Sequence, residues 1–374
     1  MSQKCHKRTH APQQTARYSI TSSALGSHGV FECHKPSLDA YSLALRKYCG
    51  LRRRCDLLII SLKENKARVP RWNTLGGKHV RKLLTATALA LLAFTSAAAA
   101  QQPPFATRKI DGTDNVYLFR YQGHQSMFIV TPKGVIATDP IGRYRPQAVT
   151  AYLDEIKKIT DQPVKYLIYS HAHFDHIAGG QPFKDQGAIV IAHKNAKTHF
   201  EWAKKQGALL DSVVMPDQVV DKKKVISLGG ATLELLYVGR NHSDSSLVMR
   251  LPKEKLIFLV DFIPIEAVQF RNMPDNVSPV EFEDSIKNVL ALDWDRMIPG
   301  HPYAGGRLGT KKDVQDHLNF LQELSAEVKA VAPTKCTDAA MKEIKLPKYE
   351  KWSNYEQYLP GNIQRYCYWW TQSY

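Results

Sequence analysis

From residue 116 onward, short apolar runs alternate with longer amphipathic stretches. Segments 116–121, 126–131, 134–138, 164–170 and 188–192 are rich in β-branched and aromatic residues and read as strands. Segments 225–228, 232–238, 246–251, 256–260 and 296–298 form a second series, with Gly229-Gly230 marking a hairpin turn. Residues 146–159 carry apolar side chains at helical spacing, and Ser278, Pro279 and Glu281 supply a cap, a first-turn proline and a capping-box acid. The clearest helix is 311–331, where Val314, Leu318, Leu321, Leu324 and Val328 share one face. Strands interleaved with helices and hairpins predict mixed sheets covered by helices, an α/β layered domain.

Composition changes this picture at the N-terminal end. The formal net charge of +16 would suggest a nucleic-acid or membrane partner, but residues 1–100 hold 17 Lys and Arg against 4 Asp and Glu. From position 101 on, 34 basic residues face 31 acidic ones, so no nucleic-acid partner is expected. Arg81 and Lys82, an apolar run over 83–94 and the small residues up to Ala100 have the layout of a secretory signal peptide over 80–100. The apolar run falls short of the roughly 20 residues a membrane span needs. Residues 1–79 form a basic leader without periodicity; Val80 is a candidate translation start, a basic pro-region being the alternative. A periplasmic or secreted product beginning near Gln101, with no stable membrane anchor, is expected.

The body then divides into a domain over 101–335 and an aromatic-rich extension over 336–374. Cys336 and Cys367 are its two cysteines, and an even pair in an exported chain predicts a disulfide. The extension carries Tyr349, Trp352, Tyr355, Tyr358, Tyr366, Tyr368, Trp369 and Trp370, too much aromatic surface to leave in water. It is expected either to pack outside the domain or to line a pocket or a contact between copies.

The candidate chemistry sits where the strand 164–170 runs directly into His171-Ala172-His173-Phe174-Asp175-His176. Burying such groups without purpose would be costly. In extended backbone His171 and His173 project to one side and can share an ion, while a turn lets Asp175 and His176 face a second. Imidazole and carboxylate donors suit zinc, and a site with an open coordination position can activate water. Gly179 and Gly180 let the chain pass close to the site.

This hexapeptide resembles the HxHxDH signature of the metallo-β-lactamase superfamily, and the resemblance extends over roughly 116–301. Asp139 resembles the family's early structural Asp, His242 the third histidine of the first metal, Asp261 a carboxylate bridging both metals, and His301 the last ligand of the second. The resemblance implies an αββα sandwich holding two Zn2+ ions, the first on His171, His173 and His242, the second on Asp175, His176 and His301. Asp175 is the candidate catalytic carboxylate, able to orient the bound hydroxide or take its proton. His124, His193, His199 and His317 are read as packing or surface residues, with His124 able to line the pocket. Arg271, Tyr303 and Arg307 are candidates for holding an anionic or carbonyl substrate.

The implied activity is hydrolysis of an ester, thioester, lactone, lactam or related bond in a small-molecule substrate by a metal-bridging hydroxide. The same ligands also serve iron in persulfide or oxygen chemistry, the alternative within the family. A β-lactamase proper is disfavoured by a carboxylate at 261, where those enzymes usually carry Cys or Ser. A non-catalytic binding protein is disfavoured by the complete ligand set.

Overall fold

A computed structural model describes residues 103–372 apart from 272, 274–277 and 337–341; the leader 1–79 and the signal segment 80–100 lie outside the described residues. Two sheets follow from the two series of apolar runs. The first orders β1 (Phe105–Lys109), β2 (Val116–Tyr121), β3 (His124–Thr131), β4 (Gly134–Thr138), β5 (Val164–Ile168), β6 (Ile189–His193) and β7 (Gln218–Val220) in sequence. It is antiparallel through β4 and parallel from β4 to β7. The second runs β12 (Arg296–Pro299), β11 (Leu256–Leu259), β10 (Val248–Leu251), β9 (Ala231–Leu236), β8 (Lys223–Leu228), with β11 and β12 parallel. Gly229 and Gly230 make the β8–β9 hairpin, both with positive φ.

Helices cover the outer faces: α1 (Pro146–Ile159), α2 (Phe174–Ile177), α3 (Gln181–Asp185) and α4 (Lys194–Lys205), then α5 (Pro279–Ala291), α6 (Lys311–Lys335) and α7 (Tyr355–Gln372). Alternation along the strands explains the layers. On β3, Met127 and Ile129 enter a core with Leu233, Leu235, Met249 and Phe258 of the other sheet. Phe128, between them in sequence, packs instead with Tyr152 of α1, Phe183 of α3 and Phe200 of α4. On the far side Ile257 and Leu259 meet Phe282 and Ile286 of α5, Leu318 and Leu321 of α6 and Tyr366 of α7. Helix, sheet, sheet, helix is the αββα sandwich. Strands buried on both faces read as continuous apolar runs, which is why their sequence signal was strong.

The cap of α5 forms as the sequence predicts, Ser278 Oγ accepting from the Glu281 amide and Glu281 accepting from the Ser278 amide. All five predicted apolar residues of α6 are buried, and the helix extends four residues beyond 331, to Lys335. Cys336 and Cys367 are disulfide-bonded, joining the end of α6 to α7. The extension is not peripheral: Tyr349, Tyr355, Leu359, Ile363 and Tyr366 belong to the core under the second sheet. β1, β7, α4 and α7 have no counterpart in the sequence reading. In α7 the sequence is a poor helix former, with Pro360 and Gly361 inside it, and burial of its aromatic face overrides propensity.

Candidate metal centre

The hexapeptide lies just beyond the C-terminal end of β5, and the turn into α2 brings the His176 ring 5.1 Å from that of His171 while Asp175 faces the same cavity as His173. Gly179 makes this turn feasible, because a Cβ there would come within 2.4 Å of Val149 Cγ2. His242 arrives from the loop before β10, Asp261 from the end of β11 and His301 from the end of β12. Gln125 fastens the two sheets at this point, its amide donating to Gly300 O and its side chain to Pro299 O.

Among the described residues, His171, His173, His242 and Asp261 gather their donor atoms within 4.8 Å of one another, as do Asp175, His176 and Asp261, and His124, His176 and His301. Asp261 is common to the first two sets. Its Oδ2 lies 3.6 Å from His171 Nε2, 3.5 Å from His242 Nε2 and 3.1 Å from His176 Nε2, and its Oδ1 lies 2.9 Å from His301 Nε2. His173 turns Nδ1 toward His242 Nε2 at 3.0 Å. Ligands each 2.0–2.1 Å from one ion stand at about these separations from one another, so the donors fit a divalent cation.

Buried polar atoms give an independent test of that fit. His171 Nε2 and His176 Nε2 have no hydrogen-bond partner, a costly arrangement unless a cation takes their lone pairs. Two of the opposite ring nitrogens are directed: His171 Nδ1 meets Ser170 Oγ at 2.9 Å and His301 Nδ1 donates to Gly123 O, while His176 Nδ1 makes no hydrogen bond and lies 3.5 Å from Asp139 Oδ2. Such outer contacts fix which nitrogen faces an ion. Asp139 is fully buried and accepts from the Ser170 amide, placing it behind the ligands as expected.

The electrostatics point the same way. Burial drives His171 well below the ordinary imidazole value and His242 down to about 3, so both stay neutral as ligands must. Burial pulls on His176 too, but Asp261 and Asp139 outweigh it and raise that imidazole well above its usual value. Asp261 is held well below the carboxylate range, His176 and His301 outweighing its desolvation. Positive charge is favoured at His176, where Asp261 and Asp139 converge. Asp261 also adopts a left-handed φ of 69°, unusual for a residue with a side chain, and Gln269 Nε2 holds its carbonyl at 3.1 Å.

His124 is the site residue that sequence reasoning undercounted. It opens β3 beside the centre, its Nε2 3.2 Å from Asp175 Oδ2 and its ring 4.5 Å from that of His301. Burial lowers it to about 4 despite Asp175, so a neutral ring donates to the carboxylate and keeps Asp175 ionised. The available signal was a polar run, His124-Gln125-Ser126, opening an otherwise apolar strand. The other histidines stand apart: His193 caps α4, His199 pairs with Asp244, and His317 bonds Gln269. Arg271 and Tyr303 line the cavity over the site. Arg307 does not; Glu266 and Asp313 hold its guanidinium, which overturns its expected substrate role.

The family model described as Metallo-beta-lactamase superfamily matches residues 123–301. The chain is 24% identical to the alpha subunit of a 2,4-dinitroanisole O-demethylase from Nocardioides sp., over 54% of this chain and 58% of that protein. It is 27% identical to a metallo-beta-lactamase type 2 from Bacillus sp., over 51% of this chain and 70% of that one. Among solved structures it resembles a stereoselective inverting sec-alkylsulfatase from Pseudomonas sp. with a TM-score of 0.55 and 15% identity, over 72% of this chain and half of the sulfatase. At that identity the likeness concerns the fold.

Proposed function

Residues 123–301 are a metallo-β-lactamase superfamily domain, and from that premise we propose that the chain is an exported metal-dependent hydrolase with a two-ion centre, zinc the favoured metal. The observation that carries this reading is Asp261, whose two carboxylate oxygens face different imidazoles, three on one side and His301 on the other. A pair of divalent ions held there would supply an acidified water nucleophile and polarise the oxygen of the scissile bond. His171, His173 and His242 would hold the first ion; Asp175, His176 and His301 the second, with His124 beside it. Asp175, which His124 keeps ionised, would orient the attacking water and take its proton. The Cys336–Cys367 disulfide supports export, since such bonds persist in oxidising compartments.

The relatives' names span demethylation, sulfate-ester and lactam chemistry, so the test screens esters, thioesters, lactones, lactams, sulfate esters and aryl methyl ethers after native metal analysis. About two zinc ions per chain and hydrolysis of at least one class are expected; iron would favour redox chemistry. His173→Ala should lower metal content toward one per chain. Asp175→Asn should cut turnover about a hundredfold while metal content changes less. Full activity in Asp261→Ala with one ion or none would refute the two-ion reading.

A further inference from the structure

Above the metal centre lies a cavity of about 690 Å³, ample for a drug-sized molecule. Its walls divide by chemistry. Ile263, Pro264, Val268, Phe270 and Met273 make an apolar side, contributed by the segment after β11. At the rim, two arginine–aromatic pairs are exposed. Arg143 lies over the Tyr144 ring at 4.6 Å, on the segment after β4 of the first sheet. Arg271 lies over the Phe270 ring at 5.5 Å, on the segment after β11 of the second. Tyr144 and Phe270, both lining the cavity, are 70% and 50% exposed and open to a ligand there.

Neither guanidinium has an ion pair with a carboxylate among the described residues, unlike Arg250, paired with Glu234, and Arg307. Stacking on a ring occupies the guanidinium face and leaves its N–H edge for a planar anion. Arg145, the third arginine of the cavity, is committed to the carbonyls of Ile141 and Asp175. The rim segment carrying Arg271 is also fixed from below: Asn362 of α7 donates to the carbonyls of Gln269 and Arg271. Arg271 has a positive φ of 39°, a conformation that needs such support. Among the described residues the rim therefore presents two guanidiniums without a carboxylate partner, that of Arg271 on anchored backbone, beside an apolar wall.

We propose that the substrate is an amphiphilic anion: an apolar body that fills the wall side of the cavity, with a carboxylate or comparable anionic group, remote from the bond that is cleaved, held by Arg143 and Arg271. This rests on the hydrolase reading for its turnover and on the rim alone for its binding.

The metal-loaded protein would be given monophenyl adipate and phenyl hexanoate, which share a leaving group and a chain length and differ in one remote carboxylate. The expected preference in kcat/KM for the anionic ester is about tenfold or more, the range of a charge-assisted contact, and it should shrink as salt rises. In the Arg143→Gln/Arg271→Gln double variant the ratio should fall toward one. Calorimetry with 4-phenylbutyrate against 4-phenylbutanol reads binding without turnover, and the carboxylate should bind about tenfold tighter in the parent and lose that advantage in the variant. If neither ester is cleaved while this binding pattern holds, the hydrolase reading fails for esters and the ligand class stands. Ester cleavage without an anionic preference, the two phenyl ligands binding alike, would overturn the ligand class and leave the hydrolase. A preference that survives the double substitution assigns the anion to the metal centre and overturns the proposal too.

Discussion

Asp261 and His124 show how differently two residues of one site announce themselves. Asp261 ends an apolar strand and, given a resemblance to a known signature, its position could be read in advance. His124 offers no spacing motif, since it lies 47 residues before His171 and meets Asp175 only because β3 and β5 flank β4 in one sheet. Its contact with Asp175 makes it more than a packing residue. His124→Ala removes the donor that keeps Asp175 ionised and ordered, and is expected to weaken the second ion about tenfold to a hundredfold with the first less affected. Metal titration of parent and variant, read as two separate affinities, checks this; equal affinities for both ions in both proteins would return His124 to a passive role.

At the scale of elements, α5 and α6 were legible because cap residues and apolar periodicity agreed. α7 was not, because its aromatics, Pro360 and Gly361 argue against a helix locally and its stability comes from the surface it covers. That helix matters to the site. It lies outside the matched residues 123–301, yet Asn362 holds the rim segment and Cys367 ties the helix to Cys336. With the cysteines 31 positions apart in sequence, the chain-entropy account gives about 3–4 kcal/mol of stabilisation. Replacing both cysteines with alanine should therefore lower unfolding free energy by about that amount in denaturant titrations. A loss well under 1 kcal/mol would mean that packing of the aromatic face alone seats α7.

The whole molecule buries several imidazoles as neutral groups, and this gives its stability a pH dependence. His317, a residue of α6 whose ring lies parallel to that of Trp352, is driven by burial to about 3. The unfolded chain takes up a proton near pH 6.5 that the folded imidazole refuses, so stability is full above 6.5 and falls as pH drops toward 3. Between pH 6.5 and 5 this one group should account for about 2 kcal/mol. His317→Gln should be less stable at pH 7, where the hydrogen bond to Gln269 is altered, but should lose less between pH 6.5 and 5 than the parent does. Parallel acid slopes in urea titrations would show that His317 titrates normally. By itself the sequence determined the layers, through runs buried on both faces, and the ligand types, through a hexapeptide in which strand geometry sets the first two histidines. Only the tertiary structure decided that His124 joins them, that Arg307 is spent on Asp313 and Glu266 while Arg143 and Arg271 pair with no carboxylate among the described residues, and that the C-terminal helix braces the rim. Each of those depends on residues far apart in sequence meeting in the folded chain, His124 with Asp175, Arg307 with Glu266 and Asn362 with Gln269, and local pattern carries no record of such meetings.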